Sequence, residues 1–112
     1  MLNGYVRVAD TSDVTEGLVI AVEINGVPIA LARSNGCVYA FEDRCSHQDC
    51  LLSTGMVSDG MIECEHHGAM FDLASGAVLL PPALEPIRVF DMVEDATGVF
   101  VTLEASSKTT ND

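Results

Sequence analysis

A chain of 112 residues supports one compact domain with its own core and leaves little length for a second. With 17 acidic against 5 basic residues its formal charge is −12, a field that repels phosphate backbones and anionic lipid surfaces; nucleic-acid and membrane-surface roles are excluded, and a preferred partner is basic. An apolar share of 48% argues against a disordered chain.

The opening residues, Met1 to Arg7, do not lead a basic segment into a long apolar stretch, and no window approaches transmembrane length. The expected location is the reducing cytoplasm, where the 4 Cys are metal ligands or thiols rather than disulfides. Tyr5–Ala9 reads as a first strand. Asp13-Val14-Thr15-Glu16 has room for a single helical turn. Residues 18–24 alternate apolar positions on two faces, Asn25-Gly26 supplies a hairpin turn at positive φ, and Val27–Ser34 resumes the alternation. A second Asn-Gly, at 35 and 36, turns the chain into Cys37–Glu42, with Cys37, Tyr39 and Phe41 on one face and Val38 and Ala40 on the other. Cys37 reads as a small buried hydrophobe.

From Asp43 to about Pro82 the periodicity weakens and all 3 His appear. Met56-Val57 and Met61-Ile62 flank Ser58-Asp59-Gly60 as one hairpin, and residues 70–73 and 77–80 flank Ala74-Ser75-Gly76 as another. Met56, Met61 and Met70 are expected to fill the core. Pro81-Pro82 stiffens an exit loop. Residues 85–94 and 99–104 then read as two strands joined by Asp95-Ala96-Thr97-Gly98, and the polar C-terminus is expected to fray. No helical period is sustained, so the expected class is all-β: an antiparallel sandwich or barrel base with a small inserted sub-domain at about 43–83, one domain over 1–105, and a flexible tail at 106–112.

Two short pairs carry the chemistry. Cys45-Ser46-His47 is followed, after 16 intervening residues, by Cys64-Glu65-His66-His67-Gly68. Each pair offers a thiolate and an imidazole, and the spacing permits either one zinc ion or a two-iron cluster.

The wording around these ligands resembles the Rieske family: the run from Cys45 through Cys50-Leu51-Leu52-Ser53-Thr54-Gly55, then Cys64 through His67-Gly68-Ala69-Met70-Phe71-Asp72, with Gly76 and Pro81-Pro82 after it. The resemblance implies one Rieske-type 2Fe-2S cluster, with Cys45 and Cys64 on an inner iron and His47 and His67 on an outer one. It selects His67 over His66 as ligand and places a Pro-containing loop over one side of the cluster. High-potential members of the family bridge a Cys at the position of Cys50 to a Cys at the position of His66, and place Ser and Tyr where this chain has Ala69 and Phe71. That bridge and both hydroxyl donors are missing, which implies a potential at the low end of the Rieske range, about −150 mV. Cys50 is then an unbridged thiol beside the cluster.

The likeness is closest to the small bacterial ferredoxins of aromatic-ring-hydroxylating dioxygenase systems. It implies a monomeric one-electron carrier between an NAD(P)H-dependent ferredoxin reductase and a terminal oxygenase, with no catalytic residue of its own. Two alternatives are a Rieske-type small subunit of an assimilatory nitrite reductase and a zinc-binding interaction module.

Overall fold

A computed structural model describes residues 4–44, 51–65, 68–80 and 86–103. The tail expected at 106–112 lies outside them. The described chain is all-β, with its strands gathered into three antiparallel sheets.

Strands β1 (Tyr5–Ala9), β2 (Val19–Ile24), β3 (Val27–Ser34) and β4 (Cys37–Glu42) fall where alternation placed them. Both Asn-Gly turns are left-handed at both residues, with φ of 50° and 83° at Asn25-Gly26 and 55° and 83° at Asn35-Gly36. That twist matches two flanking strands and sets the register Ile24 to Val27 and Ser34 to Cys37. Next come β5 (Met56–Ser58), β6 (Met61–Glu63), β7 (Met70–Asp72) and β8 (Val78–Leu80). The first of these hairpins turns on Asp59-Gly60 alone, with Ser58 paired to Met61.

The strand expected over 85–94 is instead two, β9 (Val89–Phe90) and β10 (Met92–Asp95), followed by β11 (Gly98–Thr102). The chain changes sheets at Asp91: β9 pairs with β4, and β10 pairs with β11. The Asp91 carbonyl accepts from the Thr102 N–H at 3.2 Å as the switch is made. A continuous apolar alternation conceals such a switch because both sheets bury the same period.

The sheets run β1-β11-β10, β2-β3-β4-β9 and β5-β6-β7-β8. The middle one is buried on both faces. Ile29, Leu31, Val38, Ala40 and Phe90 point into a core shared with Val99 and Val101 of β11. Ala30, Ala32 and Phe41 point the other way, into a core shared with Val57, Ile62, Phe71 and Leu73.

Three expectations fail here. Cys37 is exposed, because it opens β4 beside a turn, where the neighbouring sheets do not reach. Met56 is 73% exposed, and Met61 and Met70 are only partly buried; the short strands alternate so that Val57, Ile62 and Phe71 take the inward positions. The turn expected over 13–16 is a 3₁₀ turn at Thr11–Asp13, displaced so that Val14 can be buried.

Arg33 ties the outer sheet to the middle one. Its guanidinium donates to the carbonyls of Val14 at 2.6 Å, Thr11 at 3.1 Å and Gly36 at 3.2 Å, and pairs with the Glu94 carboxylate. The Arg33 hydrogen bond, reinforced by the Thr11 hydroxyl, holds the Glu94 carboxyl below its ordinary value, and Glu94 in turn raises Arg33. A depressed carboxyl stabilises the fold above its unfolded value, and that contribution is lost as pH falls through the folded one. Arg33→Ala is expected to lower the unfolding free energy at pH 7 by about 2 kcal/mol, with the deficit shrinking on acidification. Denaturation followed by far-ultraviolet circular dichroism at pH 7 and below pH 4 checks this; an equal deficit at both would remove the role given to Glu94.

Candidate metal centre

The third sheet ends in loops whose bases are each closed by hydrogen bonds. Cys64 follows β6 directly, with its N–H donating to the Ala69 carbonyl at 2.7 Å and its own carbonyl accepting from the Gly68 N–H at 3.0 Å. This tight return needs Gly68 at φ 75°, a conformation that costs glycine little. Cys64 is 1% exposed and belongs to the same apolar core as the fully buried Ala69 and Phe71. The approach to this loop is acidic, with Glu65 exposed and Glu63 half-buried.

The first loop is closed by Asp43, which is 2% exposed at the end of β4. Its two carboxylate oxygens accept from the Ser53 N–H and the Ser53 hydroxyl, both at 2.7 Å, while its own N–H donates to the Pro28 carbonyl at 3.0 Å. Beyond Ser53, the 3₁₀ turn Leu52–Thr54 buries Leu52 in the core that holds Cys64. Gly55 then presses onto the residue before Cys64: a Cβ on Gly55 would stand 2.0 Å from the Glu63 carbonyl oxygen. Backbone contact therefore sets how the strand leaving the first loop meets the base of the second.

A third closure lies at Gly76. Its N–H donates to the Asp72 carbonyl at 2.7 Å, its carbonyl accepts from the Ile87 N–H at 2.9 Å, and a Cβ there would meet the Ile87 carbonyl oxygen at 2.2 Å. The Asp72 carboxylate braces the turn by accepting from the N–H and hydroxyl of Ser75 at 2.9 and 2.8 Å. The segment holding Pro81-Pro82 runs between β8 and this contact, and residues 81–85 lie outside the described set.

Of the four expected ligands the structure places Cys64. Cys45, His47 and His67, with Cys50 and His66, lie outside the described residues, and among the described ones no group of three or more His, Cys, Asp or Glu could hold a metal ion. What is described fits an iron-sulfur centre: a buried cysteine among apolar core residues, set in a glycine turn beside the closed base of the other Cys-x-His loop. The motif did not reveal the closures themselves. Asp43 marks only where the periodicity weakens, and Ser53 and Gly55 only belong to the run that carries the resemblance, because a long-range carboxylate bond and a backbone approach leave no local pattern.

An antiparallel β scaffold whose Cys-x-His and Cys-x-x-His segments spring from hydrogen-bonded bases is that of a small metal- or cluster-binding protein. The chain belongs to the Rieske family: residues 4–91 match the family model described as "Rieske [2Fe-2S] domain". With that membership comes one Rieske-type 2Fe-2S cluster, which answers the zinc alternative. The chain is 30% identical over 93% of its length to all of the ferredoxin component of naphthalene 1,2-dioxygenase/salicylate 5-hydroxylase systems from Ralstonia sp. It is 31% identical over 92% of its length, and 96% of the relative's, to the biphenyl 2,3-dioxygenase ferredoxin component of Rhodococcus jostii (strain RHA1). Among solved structures, the carbazole 1,9a-dioxygenase ferredoxin of Nocardioides aromaticivorans IC177 superposes with a TM-score of 0.85 at 31% identity, covering 91% of this chain and 100% of that one. The terminal oxygenase of the same organism's system gives 0.82 at 27% identity and 94% of this chain, but only 31% of the oxygenase. Among the described residues no helix is long and apolar enough to cross a membrane.

Gly55→Ala is expected to push the two loop bases apart and to cost most of the bound iron. Iron and acid-labile sulfide per chain check it against Gly26→Ala, which meets nothing within 4 Å and is expected to keep full loading despite its strained turn.

Proposed function

We infer that this protein is the ferredoxin component of an aromatic-ring dioxygenase system, taking single electrons from an NAD(P)H-dependent reductase and delivering them to a terminal oxygenase. The observation that carries the reading is span. The match accounts for the whole of a stand-alone dioxygenase ferredoxin but under a third of a terminal oxygenase chain, so the chain has the extent of the carrier and not of the catalytic subunit. A solved complex of oxygenase and ferredoxin in carbazole 1,9a-dioxygenase contains a ferredoxin that superposes on 94% of this chain with a TM-score of 0.85, which supports an oxygenase as the acceptor.

The cluster is assigned to Cys45 and Cys64 on one iron and His47 and His67 on the other; when bound it supplies a reversible one-electron couple. The burial of Cys64 among apolar core residues suits the inner position. Ala69 and Phe71 put methyl and phenyl groups, fully buried, where donors would otherwise reach the ligand loop. Without those hydrogen bonds the reduced state is less favoured, which supports a potential near −150 mV. Exposed Leu51, Leu79 and Leu80 flank the loop region and offer apolar contact, while the chain's −12 charge steers a basic partner. Brief encounters with two partners in turn suit a monomer acting in the cytoplasm. We assign residues 1–105 to one domain whose cluster-binding part spans about 43–83.

Electron paramagnetic resonance of the dithionite-reduced protein is expected to show mixed His/Cys ligation, and His47→Ala or His67→Ala to abolish that spectrum. A variant that kept it unaltered would overturn the ligand assignment. Redox titration is expected to give a midpoint near −150 mV, a clearly positive value contradicting the low-potential reading. Reduction by a cognate reductase is expected to slow as ionic strength rises; a rate indifferent to salt would remove the steering role.

A further inference from the structure

We propose that Asn25-Gly26 is a self-modification site, at which Asn25 loses its side-chain amide to become aspartate or isoaspartate, and that Glu16 keeps the matching Asn35-Gly36 turn from doing the same.

The two dipeptides form a matched pair within one chain. Both close antiparallel hairpins, with φ of 50° and 83° at Asn25-Gly26 and of 55° and 83° at Asn35-Gly36. All four residues are exposed, and a Cβ on either glycine would meet nothing within 4 Å. What separates the turns is Glu16. Its two carboxylate oxygens accept from the Asn35 N–H at 2.7 Å and the Gly36 N–H at 2.9 Å, one on each side of the Asn35 α-carbon. The Arg33 guanidinium holds the next carbonyl, that of Gly36, at 3.2 Å. Glu16 is anchored in turn, through its bridge to Arg33 and the Gly17 N–H donating to the Arg33 carbonyl at 2.8 Å. Among the described residues no side chain grips Asn25 or Gly26 in this way.

The chemistry needs only water. The Gly26 backbone nitrogen gives up its proton and attacks Cγ of Asn25; as that C–N bond forms, the bond to the side-chain nitrogen breaks, and this nitrogen leaves as ammonia with the proton. Water then opens the cyclic imide at either carbonyl, restoring the backbone as aspartate or rerouting it through the side chain as isoaspartate. Glycine suits the attacking position because no Cβ obstructs the approach or the rotation of its peptide plane. A left-handed turn holds that nitrogen in the hairpin, so reaction proceeds from a locally opened turn. At Asn25 the turn opens without loss of a side-chain contact, whereas at Asn35 both Glu16 bonds must break first. Ile24 pairs with Val27, and the Pro28 carbonyl accepts from the Asp43 N–H at 3.0 Å. Each event therefore adds one negative charge, to a chain already at −12, at the end of the middle sheet from which the first Cys-x-His segment leaves. The guarded turn lies at the opposite end, where the Gly60 N–H donates to the Ser34 hydroxyl at 2.7 Å.

Cleavage after arginine separates the two sites, leaving Asn25 in the peptide 8–33 and Asn35 in 34–44. The cluster-loaded protein is incubated at mildly alkaline pH, and each peptide is followed by mass spectrometry for replacement of the amide by a carboxyl. Asn25 is expected to convert about tenfold faster than Asn35, the factor that two exposed hydrogen bonds impose on opening. Equal rates, or a faster Asn35, would overturn the proposal. In concentrated urea the ratio is expected to fall to about one, because the following residue is glycine in both cases; a ratio that survives unfolding belongs to the flanking sequence and overturns the role of the fold. Glu16→Ala is expected to raise the Asn35 rate about tenfold while leaving Asn25 as it was, and an unchanged Asn35 rate removes Glu16 as the guard. If Glu16→Ala does not fold, the folded and urea-treated natural chains decide by the same two criteria.

Discussion

Burial of β3 on both faces is the constraint from which the rest of the molecule follows. Ile29 and Leu31 are fully buried toward one core, and Ala30 and Ala32 fully buried toward the other. A strand buried on both sides needs a layer on each, so the outer sheet and the loop-bearing sheet are both required to keep it dry. The side chains are graded to suit. The branched residues face the base, where β1, β10 and β11 pack over them, and the two alanines face the hairpins, allowing Phe41, Phe71 and Leu73 to lie close. The loop-bearing sheet is thereby seated on the base by apolar contact rather than by a linker.

That seating explains why the closures matter. Short strands such as β5 to β8 hold little on their own, at three residues each. Asp43 with Ser53, Cys64 with Ala69, and Gly76 with Ile87 each convert a loop base into a hydrogen-bonded neck. Gly55 then brings two of the necks into backbone contact.

The sequence revealed the elements with strong local signals and missed those that depend on distant partners. Asn25-Gly26 and Asn35-Gly36 fixed two hairpins because their chemistry admits few other conformations. The split at Asp91 was hidden, since alternation through 85–94 records that one face is buried and not which sheet buries it. Cys37 and Met56 were assigned to the core from residue type, whereas position decided: one opens a strand, and the other occupies an outward place in a three-residue one. The cluster motif was legible as wording, and its match to the Rieske family bears that out. The buried carboxylate at Asp43 had no legible signature, because its partner stands ten residues away with no periodic relation to it.

The three necks also bear on how such a protein can diverge. A loop closed at its base transmits little of its interior to the strands, since a change in length or composition above the hydrogen bonds leaves the register below them as it was. Partner choice, written in residues above the necks, can therefore drift without renegotiating the scaffold. The carrier behaves as a socket with interchangeable tips, and new acceptors become reachable through substitutions that the folding of the remaining chain does not feel.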